Sequence, residues 1–247
     1  MIDGRVFKLF ERPFHQTKAK VVGVLGATPD VWLVGGTGRC ARRRLPANVG
    51  QFTFTIPDYG HPARTCELYV FDDYMVVSEA IKSLILNHVP ADDIECCEVD
   101  VRRANGAFPA SAYYALKILK QIDCIDAERS LVKEGYLSDQ KSVPLSSKLQ
   151  SYRLDESLAR EFANDGSNLY TSYVAHAGDV LNLALLDETI PPGCVLFQPA
   201  KFPQSLLIEQ QFGRLLNQHS GPQGYVFWML DLDNVSQSRM HLIQVLR

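Results

Sequence analysis

The side chains best suited to chemistry in this chain are carboxylates, and they fall in tight groups. These are Asp92, Asp93, Glu95, Glu98 and Asp100; Asp123, Asp126 and Glu128; Asp187 and Glu188; and Asp231 and Asp233. Two acids three residues apart, such as Asp123 and Asp126, share one face of a helix and suit general acid–base work. The same spacing brings Arg129 within reach of Asp126, and ion pairing or simple hydration is the plainer use. An enzymatic reading would join these carboxylates to His176 or His219. The six histidines stand alone, with no HxH or HExxH spacing that would gather ligands around a metal. His88 and His219 fall in the last turns of expected helices, where the helix dipole favours a cation.

Other catalytic signatures are missing from the sequence. There is no Gly-x-Ser-x-Gly elbow, and none of the six cysteines, Cys40, Cys66, Cys96, Cys97, Cys124 and Cys194, belongs to a CxxC pair. Val24-Leu25-Gly26-Ala27-Thr28 resembles the start of a dinucleotide-binding turn, but a strand-like run, Val31–Val34, follows where a helix must hold the pyrophosphate. Gly35-Gly36-Thr37-Gly38 lacks the Lys-Ser/Thr of a phosphate loop. Both read as hairpin turns. No catalytic residue, cofactor or metal is therefore assigned.

The elements that must position these groups come from an ordinary globular chain of 247 residues, 46% apolar and 21% charged. That composition excludes collagenous, coiled-coil and disordered classes. A net charge of −3 gives no overall basic excess for nucleic acid, so none is expected as a partner. Scattered cysteines fit a reducing compartment. The start, Met1–Phe7, has no signal-like apolar run, and no segment approaches the roughly 18 apolar residues of a membrane span. The expectation is a cytoplasmic protein with no membrane partner.

Short apolar runs, Val21–Leu25, Val31–Val34 and Gln51–Ile56, read as strands, and the basic cluster between them, Arg39, Arg42, Arg43 and Arg44, reads as a solvated loop or, alternatively, a partner-binding patch. Glu67–Phe71 reads as a strand, and Ser78 caps a helix over Glu79–Asn87 on Ile81, Leu84 and Ile85. Ile94–Val101 reads as a strand. The spacing of Ala115, Ile118, Leu119, Ile122 and Ile125 predicts a long helix from Ser111 to Glu128. Polar Lys133–Tyr152 reads as a loop and Asp155–Asn164 as a short helix. Val180–Leu186, Gly193–Gln198, Leu206–Ile208, Tyr225–Leu230 and Met240–Leu246 read as strands, and Glu209–His219 as a helix on Phe212, Leu215 and Leu216.

Residues 71–101 align without gaps on 202–232, at an offset of 131, matching Phe71 to Phe202, Leu84 to Leu215, His88 to His219 and Asp100 to Asp231. Four identities are few, but the element order and apolar positions coincide too, which suggests two copies of one β-helix-β unit. The expected fold is α+β or mixed α/β. It is one compact domain, with a β-rich N-terminal portion over 1–65 continuous with an α/β portion over 66–247.

Three blocks carry a resemblance. Val76-Val77-Ser78-Glu79 leads into a helix, Tyr113-Tyr114-Ala115-Leu116 follows, and then comes Asp123-Cys124-Ile125-Asp126-Ala127-Glu128-Arg129-Ser130. A later stretch from Leu196-Phe197 through Pro203–Leu215 to Gly221–Phe227 adds to them. Over roughly residues 70–230 the chain resembles immunity protein family 11, bacterial proteins encoded beside polymorphic toxins. Lys117 stands where the family pattern has Asn, and Glu209 where Ser or Asp caps the second helix. The resemblance implies a non-enzymatic protein that binds a cognate toxin acting in the cytoplasm and blocks its active site or substrate access. Charge complementarity speeds such capture. Asp92, Asp93, Asp187, Glu188, Asp231 and Asp233 are accordingly the candidate toxin contacts. Ser78, Glu79, Tyr113, Tyr114, Asp123, Asp126, Glu128, Arg129 and Ser130 are expected to be architectural. An unfamiliar enzyme and an accessory subunit of a secretion apparatus remain the competing readings.

Overall fold

The computed structural model describes residues 5–11, 20–22, 44–45, 49–56, 67–70, 74–103, 105–134, 141–154, 156, 169–175, 179–202, 205–220 and 227–245. Its strands are β1 (Phe7–Glu11), β2 (Lys20–Val22), β3 (Thr53–Ile56), β4 (Leu68–Val70), β5 (Met75–Ser78), β6 (Ile94–Arg103), β7 (Tyr113–Ile118) and β8 (Gln121–Ile122). They continue with β9 (Ile125–Lys133), β10 (Ser142–Pro144), β11 (Leu149–Arg153), β12 (Leu169–Tyr173), β13 (Val180–Leu185), β14 (Leu196–Pro199), β15 (Leu206–Glu209) and β16 (Trp228–Asp231). The helices are α1 (Glu79–Leu86), α2 (Gln210–His219) and α3 (Val235–Val245). None of these is long and apolar enough to cross a membrane among the described residues.

A five-stranded sheet in the order β16-β1-β15-β14-β8 is the wall between two cores. Alternation along β1 sends Phe7 and Leu9 to one side and Phe10 to the other. Leu9 is paired with Leu207 and Leu230, and joins Phe197 in one core. Phe10 stacks on Phe227 at 4.4 Å between ring centroids, within the other core beside Ile208 and Phe212. A six-stranded sheet, β2-β3-β6-β7-β5-β4, encloses that core. The three-stranded sheet β10-β9-β13 belongs to the other.

Both long β-helix-β passages have the same local plan. Strands β5 and β6 are both antiparallel to β7 between them, and β15 and β16 are both antiparallel to β1 between them. The helices α1 and α2 lie against each other, with the His88 and Phe212 rings 5.0 Å apart. Each helix has its N-terminus capped by a side chain. Ser78 Oγ accepts from the Ile81 amide at 3.4 Å, and Glu209 Oε2 accepts from the Phe212 amide at 2.8 Å. Glu209 therefore does what Ser or Asp does at a commoner cap.

Several segments differ from the sequence-based expectation. Residues 111–128 are not a helix but include β7, β8 and the start of β9. Strand β7 is covered on both faces, so apolar residues run on without alternating and fit a helical period equally well. Lys133–Tyr152 is not a loop: among its described residues are the end of β9, then β10, a single 3-10 turn and most of β11. Leu145, fully buried in the second core, anchors that passage. Met240 lies in α3 rather than in a strand, and is 61% exposed. The readings at Val31–Val34, at Arg39, Arg42 and Arg43, and nearly all of Asp155–Asn164 fall outside the described residues.

Losing either cap should destabilise the fold. Ser78→Ala and Glu209→Ala should each lower the unfolding free energy by about 1 kcal/mol in denaturant titrations. An unchanged midpoint for both would contradict the capping role. Burial also pushes the Cys124 thiol up to about 12, so the folded state excludes the thiolate. The unfolded thiol ionises first as pH rises, so this contribution is lost from the ordinary thiol range upward. Stability should fall more steeply above about pH 9 in the native chain than in Cys124→Ala; parallel curves would refute the linkage.

Candidate partner-binding surface

The residues of the first two sequence blocks meet on adjacent strands. Antiparallel pairing sets Ser78 opposite Tyr113 and Val77 opposite Tyr114. The Glu79 amide donates to the Ala112 carbonyl at 3.0 Å, so α1 starts where β7 starts. Glu79 then meets Lys82 at 2.7 Å, and the Lys82 ammonium lies 3.5 Å from the centroid of the Tyr114 ring. A cation this close to the ring face is held by the aromatic quadrupole as well as by the carboxylate. Hydrogen bonding to Lys82, then to Tyr114, holds the Glu79 carboxyl below its usual range. The same contact with Glu79 raises the Tyr114 phenol. Lys82 escaped the sequence reading, although its place three residues after Glu79 was the available signal.

Strand β6 carries this surface onward. Its odd positions, Val99 and Val101, are buried, while Cys96, Glu98, Asp100 and Arg102 point to solvent. Register places Glu98 beside Tyr114, Thr53 beside Asp100, and Thr55 beside Arg102. Helix α1 packs chiefly over β5 and β7, and Cys96, Glu98, Asp100 and Arg102 in the outward row of β6 stay exposed. Arg102 lies 3.5 Å from Asp100, and its guanidinium is 5.1 Å from the ring of Phe108, which is 64% exposed.

The opposite face of this sheet is closed. The Leu45 amide donates to Glu95 Oε2 at 2.6 Å, and Arg44 pairs with the same carboxylate at 3.7 Å. Gly50 lies so near β6 that an added Cβ would stand 3.1 Å from Cys97 Sγ. Lys117 is fully buried opposite Glu95 in register.

The third block lies apart, on β9, where it builds an irregularity. From Asp126 to Leu131 on β9, five residue steps face only two on β13, from Ala184 to Asn182. The excess chain is tied down locally. The Asp126 carboxylate accepts from the Arg129 amide at 3.1 Å and pairs with its guanidinium at 3.9 Å. Buried Ser130 donates to the Asp126 carbonyl at 2.7 Å and accepts from the Ala184 amide at 2.9 Å. Asn182 accepts from the Leu131 amide at 2.7 Å. Acid and hydroxyl thus replace the ladder bonds that a bulge removes. Asp123 and Asp126 do not share a helix face, because no helix forms here; Asp123 pairs instead with Lys201 at 2.7 Å.

The six candidate carboxylates occupy three places. Asp92 and Asp93 form a single turn before β6, and Asp93 faces Lys120 at 3.8 Å. Asp187 and Glu188 lie on a turn after β13. Asp231 and Asp233 flank the end of β16, where Lys8 and Ser238 engage Asp231 and lower its carboxyl, Lys8 most strongly. His219 directs Nδ1 to the Leu215 carbonyl at 2.8 Å, as His88 does to Leu84 at 3.0 Å. His176 lies outside the described residues. Among the described residues, no three His, Cys, Asp or Glu side chains are grouped to hold a metal.

A family model described as Immunity protein family (Imm11) matches residues 28–162, more than half of the chain. The match starts earlier than the resemblance read from the motif blocks, and the stretch from Leu196 to Phe227 lies beyond it. All three motif blocks and the whole outward row of β6 lie within it. No curated protein matches the chain significantly.

Ser130 bridges the bulge through two hydrogen bonds. Ser130→Ala should cost about 1–3 kcal/mol, because it strands the Ala184 amide, whereas Glu128→Ala should cost less than about 0.5 kcal/mol. Equal effects in equilibrium unfolding would contradict that bridging role.

Proposed function

Because the chain belongs to the Imm11 immunity protein family, we propose that it binds and neutralises a cognate bacterial toxin acting in the cytoplasm, by covering the toxin's active site or its approach to substrate. The family match carries this reading. Family membership suggests a non-enzymatic role, and an inhibitor needs only surface complementarity and a rigid frame. Asp92, Asp93, Asp187, Glu188, Asp231 and Asp233 are read as charges that steer a basic toxin surface toward the complex. Such charges act mainly on the association rate. Two carboxylates, Asp93 and Asp231, already face lysines, so Asp92, Glu188 and Asp233 are the better placed for this task. Segments 71–101 and 202–232 are read as two copies of one unit. The shared order of strand, capped helix and parallel strand across one antiparallel neighbour supports that reading.

Co-expression tests the proposal. The protein encoded by the reading frame next to this gene, expressed in the cytoplasm, should arrest growth, and this chain should restore it while forming a 1:1 complex. Persistent arrest with no complex would contradict the proposal.

A further inference from the structure

We infer that the open face of the six-stranded sheet, from Lys82 and Tyr114 across Glu98 to Arg102 and Phe108, is where the toxin docks, against a basic patch of the toxin. This rests on the immunity reading above and deepens it.

The face has the make-up of an interface centre rather than of ordinary surface. From Cys96 to Arg102 it extends ~20 Å along β6, and the outer flank of α1, with Leu86 40% exposed, continues it. Aromatic and arginine side chains, the types that dominate binding hot spots, stand at its ends. At one end the Tyr114 ring is fixed under Lys82; at the other Arg102 lies near exposed Phe108. Both anchors are held by neighbours before any partner arrives, which reduces the entropy lost on binding. Sheet strands place Tyr114 and Arg102, so the spacing of those two is set by backbone register, while Phe108 stands on the connection between β6 and β7.

The charge pattern names the partner's chemistry. Glu79 is matched by Lys82, and Asp100 by Arg102. Glu98, exposed between these pairs and beside Tyr114, has no ion pair among the described residues. Asp92, exposed on the turn that leads into β6, adds a second acid at the foot of the same strand. The surplus is therefore negative, with Glu98 within the row and Asp92 at its foot, and it calls for a lysine or arginine from the partner.

Calorimetric titration tests this, with the neighbouring-frame protein in catalytically inactivated form as the probe. Glu98→Arg, Phe108→Ala and Tyr114→Ala should each weaken binding roughly 100-fold or more. Glu188→Lys with Asp233→Lys, on elements of the second core, should weaken it less than about tenfold, through the association rate. Melting curves of all variants establish that they fold. Should Tyr114→Ala unfold, the Glu98 and Phe108 variants, at exposed positions, decide the matter. Unchanged affinity in the Glu98 and Phe108 variants, with native binding intact, overturns the docking face and leaves the immunity reading standing. No binding by the native chain overturns both.

Discussion

One strand near the beginning of the chain holds the architecture together. Strand β1 lies between β15 and β16, paired antiparallel with both, so the sheet that separates the two cores is closed only when the N-terminal strand is in place. Phe7 and Leu9 serve one core and Phe10 the other. Burying residues on both faces of one strand couples the two halves, because a register slip of one residue would exchange their apolar and polar positions. Everything packed on the wall inherits its rigidity: α2 through the Glu209 cap, and α1 through the contact of His88 with Phe212.

That rigidity bears on binding. An inhibitor that must hold another protein gains from a surface already in its bound shape. The six-stranded sheet has one face closed by Leu45, Val49 and Phe52, and an opposite face on which α1 packs over β5 and β7 and the outward row of β6 is exposed. The first two sequence blocks, which lie within the range matched by the family, divide along the same line. Ser78 and Tyr113 are buried and build the frame, while Glu79 and Tyr114 emerge from it. On β9, the run from Asp126 to Ser130 is spent on stabilising a bulge, and Ser130 is turned wholly inward.

Much of this was legible where one periodicity ruled. The Ser78 cap, the apolar face of α1 and the in–out alternation from Cys96 to Arg102 follow from local pattern alone. Strand β7 was illegible because burial on both sides removes alternation, and its neighbours then completed a false helical period. The bulge was invisible for another reason: spacing that places two acids on a helix face also places a side-chain acceptor over a looped-out strand, and only β13 decides between them. The placement of β1 depends on contacts about 200 residues away, which no local window contains.

A toxin held on the open sheet face would shield it, and hydroxyl-radical footprinting of the complex reads that face directly. With the neighbouring-frame protein bound, labelling of Cys96, Phe108 and Tyr114 should fall sharply, while exposed Met240 on α3 keeps its free-state rate. Protection of Met240, with labelling of Cys96, Phe108 and Tyr114 unchanged, would place the toxin on the other side of the molecule and rule out the sheet face.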